Sequence, residues 1–497
     1  MTAVCVMHFG YSWVFVEKEV ILSKKKSLVY LTLSLIFFLV LSGCSMKSKT
    51  QQPENLQKGW IKMYSGVAFV NSITQTEDGG YIIAGDTSIH ATGDGGVGET
   101  EPTAGFGGLL AADIFVMKIN SDGREEWIKV LGGNLFDGSS IAIQTNDGGC
   151  IVAGESFSFS NGYYGVIVAK LDKNGNKQWV KLLCDYKDRY PQNMGYFSFR
   201  QTSDGGFIVL DRSLIIKLDS KANLEWATHM VNSTSVCESR EGGYVCVGMS
   251  SLSFGMNVGG ILILKLDKDG NKQWAKMIWG IEGSYDYIAR SVENTDDGGY
   301  IIVGRRSVAH SPDQDNAIII KINKDGQKEW ARVLSKSTKD YSGAYSILQT
   351  NSGYLIGGTE SNDFGNKHDA FILKIDRAGN EQWAKRFYGE EWDDEYNTSL
   401  ICETKDNCLL ATISPSYRSK YKSICYSGII KINSNGDLGL SCDYFREYEI
   451  SMKNIETTVR DVTESIGVKE RWSVKIENIN PTFTSKDVQA TTICDGK

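Results

Sequence analysis

The sequence predicts an all-β fold, a seven-bladed β-propeller of four-stranded antiparallel blades, and three observations lead there. One phrase, an apolar run, Asp or Asn, a turn and then Trp, recurs at Trp127, Trp179, Trp226, Trp274, Trp330 and Trp383. Its period of about 50 residues marks a stacked or circular array of equivalent units. An Asp-Gly-Gly turn precedes an aromatic or apolar run at Asp78, Asp147, Asp204 and Asp297, with worn copies at Glu241, Asn351 and Lys405. The composition, 52 Gly against 6 Pro, suits many short strands joined by tight turns.

The first unit contains four β-rich segments, 71–76, 81–87, 113–119 and 125–130. Asp78-Gly79-Gly80 and Ser121-Asp122-Gly123 separate them as hairpin turns, in which Gly tolerates a positive backbone angle. Four strands per unit exclude the shorter coils of a β-solenoid and describe a radial blade. The seventh unit has three strands (SLICE, LLATI and GIIKIN) but carries Leu438 near the place of the expected Trp. An orphan strand, Trp60 to Met63, precedes the first unit. It is expected to complete the last blade, joining the chain ends and removing open sheet edges.

The flanks divide the rest of the chain. Lys24, Lys25 and Lys26 precede an apolar run from Leu28 to Leu41, which reads as a signal peptide over residues 1–43, with 1–23 a possible over-extension of the start. Leu41-Ser42-Gly43-Cys44 resembles the lipobox of bacterial lipoproteins, which implies lipidation at Cys44. The polar stretch 44–59 reads as a flexible tether, 60–442 as the propeller and 443–497 as a β-rich tail whose role is not legible. Of eleven cysteines, an odd number remains once Cys5 and Cys44 are set aside, and no disulfide map follows.

The phrase KLDKDGNKQW, ending at Trp274, resembles the tryptophan-docking motif of quinoprotein-type propellers. It is also similar to repeats of bacterial secreted proteins and lipoproteins with DGGY and K-hydrophobic-D, Gly, Trp phrases. The likeness covers about residues 60–440. It implies that the indoles of Trp60, Trp127, Trp179, Trp226, Trp274, Trp330 and Trp383 pack on neighbouring blades, with each ring N–H needing an acceptor. The adjacent cysteine pair of the quinoprotein alcohol dehydrogenases is absent here, so no quinone cofactor is expected.

Function is less legible. A formal charge of −7 and the lack of a basic stripe exclude a nucleic-acid surface. Strand alternation places the short Asp-Gly turns on one face and every long loop on the other, among them 88–112, 305–316, 359–369 and the interblade loops 182–196, 278–286 and 387–396. Recognition usually resides in loops on a rigid scaffold. The candidate binding face therefore comprises His90, Tyr163, Tyr164, Tyr190, Tyr285, His310, His368, Tyr388, Trp392, Asp393 and Asp394. His229 is placed in the same set of loops. The acidic run around Trp392 reads more simply as solvated charge, and the Gly-rich 88–112 as a mobile flap.

No metal-like histidine spacing occurs, and Asp267 and Asp269 before Gly270 make a hairpin rather than a calcium loop. No catalytic constellation, metal set or cofactor is recognisable. The expected protein is a monomeric, lipid-anchored extracytoplasmic scaffold that binds a protein or glycan. The alternatives are an outer-membrane assembly factor, or a quinoprotein-like or glycosidase-like enzyme.

Overall fold

The computed structural model describes residues 7–9, 12–14, most of 59–438 and six short strands of the tail. Within 59–438 it leaves out 66, 88–111, 161–164, 185–196, 212–213, 231, 251–258, 281–284, 309–310, 335–340, 362–367, 388–395, 398–400 and 416–425. The chain divides into residues 1–56, where Met7–Phe9 pairs with Ser12–Val14, and residues 57–497. The expected signal peptide, Cys44 and the tether otherwise lie outside the described residues. Among those described, no helix is long and apolar enough to cross a membrane.

The second unit is a ring of seven antiparallel blades. Blade 1 is built from Val67–Gln75, Tyr81–Thr87, Ile114–Ile119 and Glu125–Leu131, and the pattern repeats through blade 6. Blade 7 takes Cys408–Pro415 and Tyr426–Asn433 from the end of the repeat, and Trp60–Ser65 pairs beside them as its outer repeat strand. The clasp expected from the orphan strand is therefore present.

Among the described residues the second and third strands of the blades are buried on both faces over most of their length, which explains the continuous apolar runs. In Tyr81–Thr87, Tyr81 and Ile83 enter the cluster shared with blade 7, whereas Ile82 and Ala84 enter the cluster shared with blade 2. Seven such clusters fill the seven interfaces between neighbouring blades. Cys150 packs in the cluster between blades 1 and 2, and Cys408 is buried in blade 7. Cys237 and Cys246 lie on opposite faces of blade 4, in different clusters, so they cannot pair with each other.

Each tryptophan ring rests on the next blade's third-to-fourth-strand turn. A β-carbon at Gly123 would stand 3.0 Å from Trp60, one at Gly175 2.8 Å from Trp127, and one at Gly270 2.7 Å from Trp226. The same holds for Gly326 against Trp274, Gly379 against Trp330 and Gly436 against Trp383. At blade 3 the turn carries Ala222, with φ 56°, packed in the cluster that Trp179 adjoins. Ring N–H donors find turn carbonyls: Trp127 Nε1 donates to Lys173 O at 3.1 Å, and Trp226 Nε1 to Lys268 O at 3.0 Å.

The tail forms a belt. Phe445–Glu447 adds a fifth strand to blade 6, Met452–Asn454 to blade 5 and Thr457–Asp461 to blade 4. Lys475–Ile479 then joins blade 2, Phe483–Thr484 joins blade 1, and Ala490–Asp495 joins Trp60–Ser65 of blade 7. The tail thus travels the ring in reverse order and caps outer edges that would otherwise offer unpaired backbone groups. Blade 3 alone has four strands among the described residues.

The loop expectations need two corrections. Most of 305–316 is strand, because Tyr300–Val308 and Ser311–Ile322 form a long hairpin. An Arg305–Asp315 ion pair at 2.6 Å and Arg306–Asn316 hydrogen bonds support that extension. Likewise His229 ends a strand of blade 3, while Tyr285 and His368 begin strands of blades 5 and 6, since ladder pairing reaches further toward the rim than alternation suggested.

The indole contact makes a sharp prediction. Gly270 has φ +82° and Trp226 against it; Gly205 has φ +80° and open space around its α-carbon. Gly270→Ala should destabilise by about 2–5 kcal/mol, adding ring displacement to the roughly 1–2 kcal/mol of backbone strain that Gly205→Ala incurs alone. Parallel denaturant titrations check this, and equal losses would show that the ring contact contributes nothing.

Candidate functional site

The two ends of the propeller axis differ in chemistry. At the Asp-Gly-Gly end, a buried lysine near the end of each third strand points at the turn between the first two strands. Lys170 meets Asp147, Lys217 meets Asp204 and Lys321 meets Asp297, each at 2.9 Å, and Lys431 meets Asp406 at 2.8 Å. Lys118 pairs in the same way with Asp78. Burial opposes ionisation of Asp204, yet Thr202, Lys217 and the Gly206 N–H together hold its carboxyl at about 2; Asp78 and Asp297 behave alike.

Blades 4 and 6 depart from this pattern. Lys265 donates to Gly242 O, and Lys374 to Thr350 Oγ1 beside a turn one residue shorter. Burial depresses both ammonium groups. In the sequence these lysines stand inside the repeat phrase that ends in Trp. The legible signal was a cation inside an apolar strand, opposite an acidic turn.

The other Asp-containing turns are closed upon themselves. Asp267 Oδ1 accepts the Asp269 N–H at 2.9 Å and the Asn271 N–H at 2.8 Å, while Oδ2 accepts from Asn271 Nδ2 at 3.0 Å. Both oxygens are used by the hairpin. Among the described residues no group of three or more His, Cys, Asp or Glu could hold a metal ion.

At the opposite end the blades diverge. The residue after the second-strand glycine is Asp86, Glu155, Met249, Arg305 or Thr359 in blades 1, 2, 4, 5 and 6. In blade 2 a bulge lies between Gly138 and Ile141, with Ser139 at φ 53°. That bulge re-aims two backbone N–H groups, those of Ser139 and Ser140, at the Asp86 carboxylate across the blade interface. Asn71 Nδ2 donates to Asp86 Oδ1 at 3.0 Å, and Ser139 Oγ to Glu155 Oε2 at 3.2 Å.

Burial pushes the Asp86 carboxyl up to about 7, with Glu155 adding to the rise and the three donors opposing it. Asp86 keeps partial solvent contact. A half-protonated carboxyl at neutral pH can give or take a proton. These two acids are not recognisable together in the sequence, because they lie on different blades.

Blades 5 and 6 carry a second polar group. The Arg290 guanidinium stands 5.8 Å from the Tyr345 ring, and the Tyr345 and Tyr341 hydroxyls share a 2.6 Å hydrogen bond. Burial and then the nearby Arg305 lower the Arg290 pKa.

Of the residues expected on the binding face, Tyr285 and His368 sit at strand starts on this end of the ring. His90, Tyr163, Tyr164, Tyr190, His310, Tyr388, Trp392, Asp393 and Asp394 lie outside the described residues.

No family model matches the chain, and no curated protein matches it. Similar solved structures include a protein of unknown function from Bacteroides caccae, at 12% identity and TM-score 0.33, covering 55% of this chain and 93% of that one. Another, of unknown function from Dyadobacter fermentans, has 13% identity and TM-score 0.37 and covers 76% of this chain and 99% of that one. A GH43 endo-arabinanase from Bacillus licheniformis has 12% identity and TM-score 0.27, over 64% and 97%. These likenesses assign no function.

Asp86 gives a pH prediction with a definite sign. Its folded pKa, about 7, lies above the unfolded value, so the proton it binds stabilises the fold fully below about pH 4 and progressively less up to pH 7. Asp86→Asn should remove that component. Its thermal midpoint relative to wild type should rise as pH increases from 4 to 8, and a constant difference across that range would contradict the raised carboxyl.

Proposed function

We propose that this protein is a lipid-anchored, extracytoplasmic propeller that acts as a non-enzymatic binding or scaffold protein through its variable face, with a protein or glycan as partner. The supporting observation is the contrast between the ends of the axis. The seven repeats serve as an internal alignment. Where the architecture demands a residue, as at the lysine–aspartate pairs and indole contacts, the same chemistry recurs from blade to blade.

Where the architecture makes no demand, the residue after the second-strand glycine changes from acid to base to apolar. Divergence among equivalent positions on a rigid ring is what recognition of an asymmetric partner needs. The lipobox at Cys44 supplies the anchor, and the tether at 44–59 lets the ring stand clear of the membrane.

Two measurements test this reading. Labelled palmitate should enter the wild type and not Cys44→Ala. In envelope pull-downs, a chain shortened within 88–112 and altered at Trp392 should lose partners that the wild type retains. Equal capture by both chains would overturn the choice of face. Recovery of barrel-assembly components would favour the assembly-factor role over a general scaffold.

A further inference from the structure

Five innermost strands carry a bulge at one register near the variable end. Asn71, Thr234, Arg290 and Tyr345 are the extra residues of blades 1, 4, 5 and 6, and in blade 2 the extra residue falls at Ser139-Ser140. A bulge re-aims the side chain it inserts. In three blades the re-aimed group bonds the residue after the second-strand glycine. Asn71 donates to Asp86 at 3.0 Å, Ser139 to Glu155 at 3.2 Å, and the Tyr345 hydroxyl accepts from Thr359 at 3.5 Å. In blade 5 both residues are arginines. Guanidiniums carry donors only, so Arg290 and Arg305 cannot bond each other.

The two arginines stand at the interface with blade 6. Ile301 and Val303 join Ala344 and Ile347 of that blade in one apolar cluster, and Arg305 continues the same strand face by the two-residue period. Across the ladder Arg305 opposes Ile288, two residues from Arg290. The Tyr345 ring lies 5.8 Å from the Arg290 guanidinium, and its hydroxyl is joined to that of Tyr341 at 2.6 Å. Asp315 holds one edge of Arg305 at 2.6 Å, yet 27% of the Arg305 side chain stays exposed. Arg290, Tyr341 and Tyr345 are half-buried, so all four donors meet solvent. After burial, repulsion from Arg305 is the strongest influence that lowers the Arg290 pKa, and the pull of Asp315 is weaker.

We propose that Arg290 and Arg305, with the Tyr341 and Tyr345 hydroxyls, bind a carboxylate group of a ligand. A carboxylate set against both guanidiniums replaces their repulsion with charge-assisted hydrogen bonds, and the planar forks match its two oxygens. A doubly charged phosphate suits the place less, because Asp315 would repel it about twice as strongly. The inference rests on the binding role proposed for the variable face and names the chemistry that this face recognises.

Ligand-observed saturation-transfer NMR and calorimetry on the full chain test this with two carboxylates, D-glucuronate and N-acetylglycinate, and their neutral counterparts, D-glucose and N-acetylglycinamide. At least one carboxylate should bind with a Kd in the millimolar range or tighter, about tenfold or more below that of its neutral counterpart, and more weakly as sodium chloride is raised. Preference for the first assigns the carboxylate to a sugar acid, and preference for the second to a peptide terminus. Arg290→Gln removes one cation and should weaken binding at least about tenfold. Tyr345→Phe keeps the ring under Arg290 and should weaken it about threefold, which preserves the test if the first variant folds poorly. Arg124→Gln, an exposed arginine in a turn at the opposite end, should leave binding unchanged. Neutral probes that bind as well as the carboxylates, inorganic phosphate that binds more tightly than both, or equal binding by wild type and both site variants would overturn the proposal. Small probes on purified protein are read apart from the pull-down, so this site and the choice of binding face can fail separately.

Discussion

The structure depends on the contact between an indole and a positive-φ turn residue of the next blade. Each blade alone is a small sheet with two apolar faces and cannot persist in water. The indole fixes the angle at which one blade meets the next, and its N–H secures a turn carbonyl where the bond is seen, as for Trp127 and Trp226. Repeated from Trp60 onto Gly123 round to Trp383 onto Gly436, the contact returns to its starting blade. Closure then removes lateral edges, and the tail covers six of the outer ones.

That dependence explains which features were legible in the sequence. The tryptophans and their turns could be read because local spacing encodes them and repetition amplifies them. The clasp could be read because Leu438 left a vacancy that Trp60 matched. The belt was legible only as strand character in the tail. Its strands are as short as Phe483–Thr484 and pair through backbone groups that any residue provides, so no pattern assigns them to particular blades. The Asp86 and Glu155 neighbourhood escaped for another reason. It is made by a bulge at Ser139 that joins two blades, and a bulge leaves no periodic trace.

The same ring separates structural polarity from spare polarity. Lysines buried at the Asp-Gly-Gly end are accounted for by carboxylates in five blades, and removing one partner would leave a buried charge unmatched. Residues that break the pattern, such as Arg305 and Asp86 at the opposite end, are not explained by blade architecture. A repeat protein thus reveals its functional positions by comparison with itself: equivalence identifies the frame, and departure from it identifies what the frame carries.

Native-state hydrogen exchange of the strand Trp60–Ser65 tests the closed ring most directly. If the indole of Trp60 locks the first strand into blade 7, the amides of residues 61–65 exchange only through the opening that releases their partners at 426–430, with matching free energies. Exchange of 61–65 at the rate of an unstructured chain, while the partner strand stays protected, would contradict closure.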